Sequence, residues 1–273
     1  MTARLCCLLV ALLLVGCAVT PSPELRRETA RRMATAAGWE SLRLPAGAFT
    51  LAGFVPRQVQ AGDTLTVYIE GDGLAWTSSA RVSPDPTPVR PLALELALRH
   101  PHGAAAYLAR PCQYVEGVEA RNCDETWWTD RRFAAEVVAA ADQAVTQLKQ
   151  RFQAREIVLV GYSGGGAVAA LVAARRSDVG RLVTVAGNLE HRAWAELHHL
   201  APLTGSLNPA DAWPALAGLP QLHFVGGQDR NVSREVAASY QARFPANQRP
   251  QLRVIDEFDH ACCWAEQWPE LFR

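Results

Sequence analysis

The five residues 161–165, Gly-Tyr-Ser-Gly-Gly, place a serine between glycines directly after the apolar run 157–160. A residue on a sharp turn from a strand into a helix needs small neighbours, because a β-carbon beside it would collide with the adjoining elements. Residues 167–176 are rich in alanine and end in arginines, which favours a helix after the turn. The pattern predicts an exposed hydroxyl on Ser163 and, at the helix N-terminus, a backbone NH of Gly164 that favours negative charge.

Strand-like and helix-like segments alternate along the rest of the chain. The predicted strands are 48–58, 64–69, 104–109, 156–160, 182–186, 222–225 and 252–255, and the predicted helices are 24–37, 91–100, 128–152 and 167–176. Strands separated by helices predict a mostly parallel, twisted sheet with helices on both faces. With 273 residues, 49% of them hydrophobic, the chain is long enough for one α/β domain.

The order of these elements and the serine motif resemble the α/β-hydrolase superfamily over residues 40–273. In that fold a catalytic triad follows the chain order nucleophile, acid, histidine. Asp229 comes after a strand and a Gly-Gly turn, and His260 comes just past the last strand. The resemblance therefore implies a triad of Ser163, Asp229 and His260.

Two other carboxylates are alternatives for the acid, and both are poorer on geometry. Asp259 is adjacent to His260 and would have to fold back on its neighbour, while Asp256 ends the last strand. Asp229 has an alternative role as well, since aspartate in such a loop is often a turn former or a helix cap.

The resemblance also places the second donor of an oxyanion hole after the strand 64–69, and we assign it to the backbone NH of Asp72. Relatives usually carry His-Gly there, whereas this chain has Glu70-Gly71, so that two carboxylates lie near a site that must hold negative charge. Two charges about 4 Å apart at a dielectric near 20 interact by about 4 kcal/mol. We therefore predict an ion pair of Arg110, from the end of the neighbouring strand, with Glu70 or Asp72.

Substrate contacts are predicted from aromatic and polar residues near the strand ends: Trp76, Tyr114 and Asn188. The interval 188–220 contains several prolines, two tryptophans and three histidines. It is either a small cap over the substrate or a surface excursion packed on the sheet. The spacing of the His, Asp and Cys residues along the chain fits no set of metal ligands, so neither a metal nor a cofactor is predicted.

The N-terminus is predicted to be a signal peptide. Its apolar run, residues 5–15, is too short to span a membrane. Residues 14–17, Leu-Val-Gly-Cys, resemble a bacterial lipobox, which implies cleavage before Cys17 and its acylation; the alternative is ordinary secretion with cleavage after Ala18. A tether and helix, residues 18–39, would follow. Since Ala18 is not aspartate, analogy favours the periplasmic face of the outer membrane.

Besides the acylated Cys17, four cysteines remain in the mature chain under this interpretation. We predict a disulfide between Cys112 and Cys123, which close a short polar loop. Cys262 and Cys263 either form a vicinal bond or are small buried hydrophobic residues.

Together these features predict a membrane-anchored serine hydrolase that cleaves a carboxylic ester or thioester through an acyl-enzyme. The substrate would be a small-molecule or lipid-like acyl compound. A peptidase or acyltransferase with the same triad is an alternative, as is a non-catalytic envelope lipoprotein that binds lipid or a partner. Lys plus Arg and Asp plus Glu number 27 each, so the composition indicates no nucleic-acid partner.

Overall fold

The computed structural model describes residues 20–59 and 61–273. Its strands are β1 (Trp39–Ala46), β2 (Phe49–Pro56), β3 (Thr64–Ile69), β4 (Trp76–Ser78), β5 (Arg81–Val82), β6 (Ala104–Leu108), β7 (Glu156–Tyr162), β8 (Val179–Val185), β9 (Gln221–Gly226) and β10 (Gln251–Ile255). Strands β4 and β5 form a separate hairpin, and the other eight form one sheet in the order β1-β2-β6-β3-β7-β8-β9-β10. Strand β2 is antiparallel to both of its neighbours, and all pairs from β6 to β10 are parallel.

Helices cover both faces of this sheet. They are α1 (Pro23–Ala36), α2 (Leu92–Leu98), α3 (Ala135–Phe152), α4 (Gly164–Ala173), α5 (His191–Leu197), α6 (Trp213–Leu216), α7 (Arg234–Gln241) and α8 (Trp264–Leu271). One hydrophobic core joins the sheet to α3, α4 and α7, and a second core joins its opposite face to α1, α2 and α8. This arrangement confirms the predicted fold class.

The predicted strands all occur, with ends that differ by a few residues, but strand β1 and the hairpin of β4 and β5 were not predicted, and one predicted helix begins later than expected. Strand β1 was not expected, because Pro45 and several exposed polar residues weaken its strand pattern; it lies at the sheet edge, where a proline is tolerated. The helix predicted for 128–152 begins only at Ala135. Before it, the carbonyl of Asp130 accepts a hydrogen bond from Ser206 Oγ and Arg132 binds Asp72, which holds these residues in turns.

The candidate functional residues lie at one edge of the sheet. Parallel strands end on the same side, so the segments after β3, β7, β9 and β10 converge there, as is usual for sites in open α/β sheets. These segments carry Asp72, Ser163, Asp229 and His260.

The predicted signal peptide and Cys17 lie outside the described residues. Within residues 20–59 and 61–273, no helix is both long enough and apolar enough to span a lipid bilayer.

Candidate active site

Ser163 lies on a tight turn between β7 and α4, with φ 51° and ψ −123°. An L-residue rarely adopts a positive φ, and this backbone conformation lifts the side chain out of the sheet. A β-carbon at Gly161 would overlap the carbonyl oxygen of Gly165, and one at Gly165 would overlap the carbonyl oxygens of Ile69 and Glu70. The two glycines therefore let the strand, the turn and the helix approach closely enough to form this conformation.

Ser163, His260 and Asp229 are connected by hydrogen bonds in series. His260 Nε2 lies 3.0 Å from Ser163 Oγ, and His260 Nδ1 lies 2.8 Å from Asp229 Oδ2. With its proton on Nδ1, the imidazole donates to the carboxylate and accepts the serine proton at Nε2. The three residues thus have the contacts needed to activate a hydroxyl as a nucleophile.

The carboxylate of Asp229 is fixed in position by the turn in which it lies. Its Oδ1 accepts the backbone NH of Asn231 at 2.8 Å and that of Val232 at 2.9 Å, while Oδ2 faces the imidazole. The turn-forming role and the contact with His260 are therefore compatible.

The alternative acids have other partners. Asp259 accepts the backbone NH groups of Ala261 and Cys262, and Asp256 pairs with Arg234 at the surface.

The backbone of His260 is held from two sides. Its carbonyl accepts hydrogen bonds from Tyr162 OH at 3.2 Å and from Trp264 Nε1 at 3.3 Å. The Nδ2 atom of Asn231 also lies 3.2 Å from His260 Nε2. The sequence analysis missed Asn231 as a site residue, although its place two residues after the acid was a usable signal.

Two backbone NH groups beside Ser163 are free to donate hydrogen bonds to a negatively charged oxygen. Gly164 is the first residue of α4, where an NH has no acceptor within the helix. Among the described residues, the NH of Asp72 donates no hydrogen bond, whereas the NH of Gly71 donates to Glu70 Oε1. A β-carbon at Gly164 would overlap the Asp72 carboxylate, so the two segments are in direct contact.

Asp72 is held by two arginines. Its Oδ1 lies 3.0 Å from Arg110 Nη1 and its Oδ2 lies 2.9 Å from Arg132 Nη1, and both arginines are buried. Burial by itself raises the pKa of Asp72, but Arg132 and Arg110 outweigh it and hold the pKa below its usual value. Sequence reasoning missed Arg132 entirely.

Of the two partners predicted for Arg110, the structure shows Asp72, and the pair with Glu70 is corrected, because Glu70 has uncharged partners. Glu70 is 1% exposed and accepts hydrogen bonds from Gly71 N at 2.9 Å, Ala93 N at 3.3 Å and Tyr107 OH at 3.1 Å. Burial raises the pKa of Glu70 to about 7, although these hydrogen bonds favour its charged form. Near neutral pH its carboxyl is therefore partly protonated.

A cavity of about 940 Å³ opens onto Ser163 and His260. Trp76 lines it, but Tyr114 and Asn188 do not, which corrects the prediction that they contact substrate. Tyr114 packs edge-on against Phe54 and Tyr107 in the core. Asn188 is buried behind the turn, where its backbone NH binds the carbonyl of Ser163.

Part of the segment 188–220 borders this cavity. Trp194 and residues 200–203 line it. Trp194 Nε1 donates to Asn231 Oδ1 at 3.2 Å, and His198 Nε2 lies 2.7 Å from the carbonyl oxygen of Asn231. The segment therefore contacts the residues around His260.

The four cysteines of the described residues form two disulfide bonds. The predicted disulfide between Cys112 and Cys123 is confirmed, and Cys262 is bonded to its neighbour Cys263. Next to the first disulfide, Gln113 Nε2 donates to the carbonyl of Gly71 at 2.9 Å, which ties this loop to the segment that carries Asp72. In the part of the chain that the structure describes, no group of three or more His, Cys, Asp or Glu side chains is placed to hold a metal ion.

No protein-family model matches the chain, and no curated protein sequence matches it significantly. Solved structures do match. An esterase from Pyrococcus furiosus has a TM-score of 0.58 at 14% identity, over 86% of this chain and 88% of its own. The esterase domain of a Rhodothermus marinus protein has a TM-score of 0.56 at 14% identity, over 85% of this chain and 94% of its own.

An acylaminoacyl peptidase from Pyrococcus horikoshii has a TM-score of 0.57 at 11% identity, over 81% of this chain and 37% of its own. All three are α/β-hydrolases by fold. With its mostly parallel sheet and a serine on the turn after β7, the chain has the α/β-hydrolase fold.

Proposed function

We propose that this protein is a serine hydrolase that cleaves carboxylic esters through an acyl-enzyme. The observation that carries the proposal is the relay from Ser163 Oγ to His260 Nε2 at 3.0 Å and from His260 Nδ1 to Asp229 Oδ2 at 2.8 Å. Two unpartnered backbone NH groups lie beside the serine, and a serine relay with such donors is the arrangement that acyl transfer requires.

In the proposed reaction, Ser163 Oγ attacks the carbonyl carbon while His260 Nε2 takes the serine proton. Asp229 stabilises the imidazolium, and the oxyanion accepts hydrogen bonds from the NH groups of Gly164 and Asp72. The bond to the leaving oxygen then breaks, and the alcohol leaves with the proton from His260. Water, deprotonated by His260, attacks the acyl-serine and releases the acid, which restores the free hydroxyl.

The nature of the cavity favours an ester over an amide. Structures of this fold include both esterases and a peptidase, so the fold does not select the bond. The exposed surface of the cavity is mainly apolar, which favours an ester with an apolar group, although polar side chains such as Ser78, Ser79 and Thr129 also line it.

A fluorophosphonate probe tests the proposal directly, because it reacts with an activated serine and not with an ordinary one. We expect stoichiometric labelling of the purified protein and hydrolysis of p-nitrophenyl acetate, both abolished in Ser163→Ala. Ser177→Ala, which removes an exposed hydroxyl from the loop after α4, should retain both. A folded wild-type protein that neither labels nor hydrolyses the ester would overturn the proposal and leave a non-catalytic binding protein as the alternative.

We further propose that the protein is anchored through a lipid on Cys17 at the periplasmic face of the outer membrane. The lipobox-like residues 14–17 support this, as does a disulfide of the kind that persists in oxidising compartments. Radiolabelled palmitate should enter the wild-type protein in cells and should not enter Cys17→Ala. Label in both proteins, or in neither, would contradict the anchor.

A further inference from the structure

Three large and partly exposed apolar side chains line the cavity at Ser163. Trp76 is 43% exposed, Val89 is 46% exposed and Leu200 is 48% exposed, and all three line the cavity. They come from three separate segments: the β4–β5 hairpin, the loop before α2 and the loop after α5. Large apolar side chains that line one cavity from distant parts of the chain indicate an apolar ligand.

The charged groups in the cavity wall already have partners in the protein. Arg132 pairs with Asp72 at 2.9 Å, and Arg90 pairs with Glu95 at 2.6 Å. Asp130 accepts the backbone NH of Gly205 at 3.0 Å. A ligand that carried its own charge would have to compete with these contacts, so the mainly apolar remainder of the surface favours an uncharged ligand.

We propose that the substrate is an ester that carries a large apolar group, of six or more carbons, seated against Trp76, Val89 and Leu200. The inference rests on the proposed function and specifies its substrate class. The cavity volume of about 940 Å³ lies near the upper end of the range for small-molecule sites, about 300–1,000 Å³, and far exceeds what an acetyl group fills. Each methylene that leaves water on binding there should raise kcat/KM by up to about fourfold.

The test compares p-nitrophenyl acetate with p-nitrophenyl octanoate, both at concentrations at which they are monomeric. We expect wild-type kcat/KM to be at least tenfold higher for the octanoate. A parallel comparison of ethyl acetate with octyl acetate moves the apolar group to the alcohol side and shows which side of the ester occupies the cavity. A preference in either series supports the proposal, and the absence of a preference in both overturns it.

Two variants test the named residues. Trp76→Ala and Leu200→Ser should each lower the long-to-short ratio of kcat/KM at least fivefold. Leu197→Ser is the matched control, because Leu197 is 46% exposed in the same segment as Leu200 but does not line the cavity. Its ratio should equal that of the wild type. Equal ratios in all four proteins would refute the assignment of these residues.

Failure of this inference is distinguishable from failure of the proposed function. Fluorophosphonate labelling and acetate hydrolysis report the activated serine whatever the chain length. A protein that labels and cleaves acetate with no preference for long chains is a hydrolase with a different substrate class, whereas a protein without either reaction contradicts the proposed function itself.

Discussion

Replacing Arg132 with methionine should slow the chemical step far more than it weakens binding. Asp72 lies between two buried guanidinium groups, so the cluster of Asp72, Arg110 and Arg132 carries a net charge of about +1 beside Gly164. Arg132→Met keeps the apolar stem and removes one positive charge. The cluster then becomes neutral, and the carboxylate keeps only Arg110 as a charged partner.

The size of the effect follows from the charge that is lost. If the separation from the oxyanion is taken as about 7 Å and the effective dielectric as near 20, a unit charge contributes about 2.4 kcal/mol. That energy corresponds to about 50-fold in rate. The ground-state ester is neutral and interacts little with this charge, so the loss should fall on kcat and leave KM within about twofold.

The assay is the steady-state hydrolysis of p-nitrophenyl acetate, with active sites counted by fluorophosphonate labelling. Arg131→Met is the matched control, because the neighbouring Arg131 is half-exposed and pairs with Glu136, away from Asp72. We expect kcat to fall about 50-fold in Arg132→Met and to be unchanged in Arg131→Met. Similar kcat values in the two variants would refute the electrostatic argument.

Stability measurements separate this effect from unfolding. Loss of one partner from a buried ion pair costs about 3–5 kcal/mol when it leaves the other charge unpaired, but Asp72 keeps its second arginine, so Arg132→Met should cost less. Arg110→Met should act in the same direction and reduce turnover more than the free energy of unfolding. An Arg110→Met protein with wild-type turnover would contradict the role of the pair.

Three further predictions concern the neighbouring groups. Asp229→Asn should lower kcat about 10³–10⁴-fold by favouring the wrong imidazole tautomer, whereas Asp259→Asn should retain activity in the same assay. Replacing Cys112 and Cys123 by serine should lower the free energy of unfolding in urea by about 2–3 kcal/mol, and no change would contradict a constraining disulfide. The Glu70 pKa of about 7 in the fold, against 4.5 as its ordinary value, stabilises the fold below about pH 4.5, and this contribution is lost as pH rises through 7. Glu70→Gln should remove up to about 3 kcal/mol of that pH dependence, and a parallel pH profile in the two proteins would exclude Glu70 as its source.

The turn at Ser163 could be predicted because its determinants are adjacent in the chain. The glycines at 161 and 165 are required by contacts within the turn and with the end of β3, and their spacing is visible in the sequence. The assignment of Asp229 and His260 followed from the resemblance to the α/β-hydrolase superfamily, in which the triad has the chain order nucleophile, acid, histidine. The fold and the serine relay were therefore accessible from the sequence.

Other site residues depend on contacts between distant segments. Arg132 and Asp72 are 60 residues apart, and the segment of Arg132 resembles the start of a helix. Nothing local shows that its side chain turns back towards β3. Tyr114 was placed wrongly for the same reason, because its burial against Phe54 and Tyr107 depends on the packing of the loop after β6 over the sheet.

The negative charges of the two acidic residues after β3 are reduced in different ways. Asp72 stays ionised, and its charge is offset by two arginines. The cluster of the three side chains therefore has a net positive charge. Glu70 has no cation and is partly protonated by burial, and its Oε1 accepts the NH of Gly71. Because that NH is occupied, the free donor of this segment is the NH of Asp72, one residue further along. Under the proposed function, the departure from His-Gly would keep an oxyanion donor at the NH of Asp72, and the strength of that donor would depend on Arg110 and Arg132.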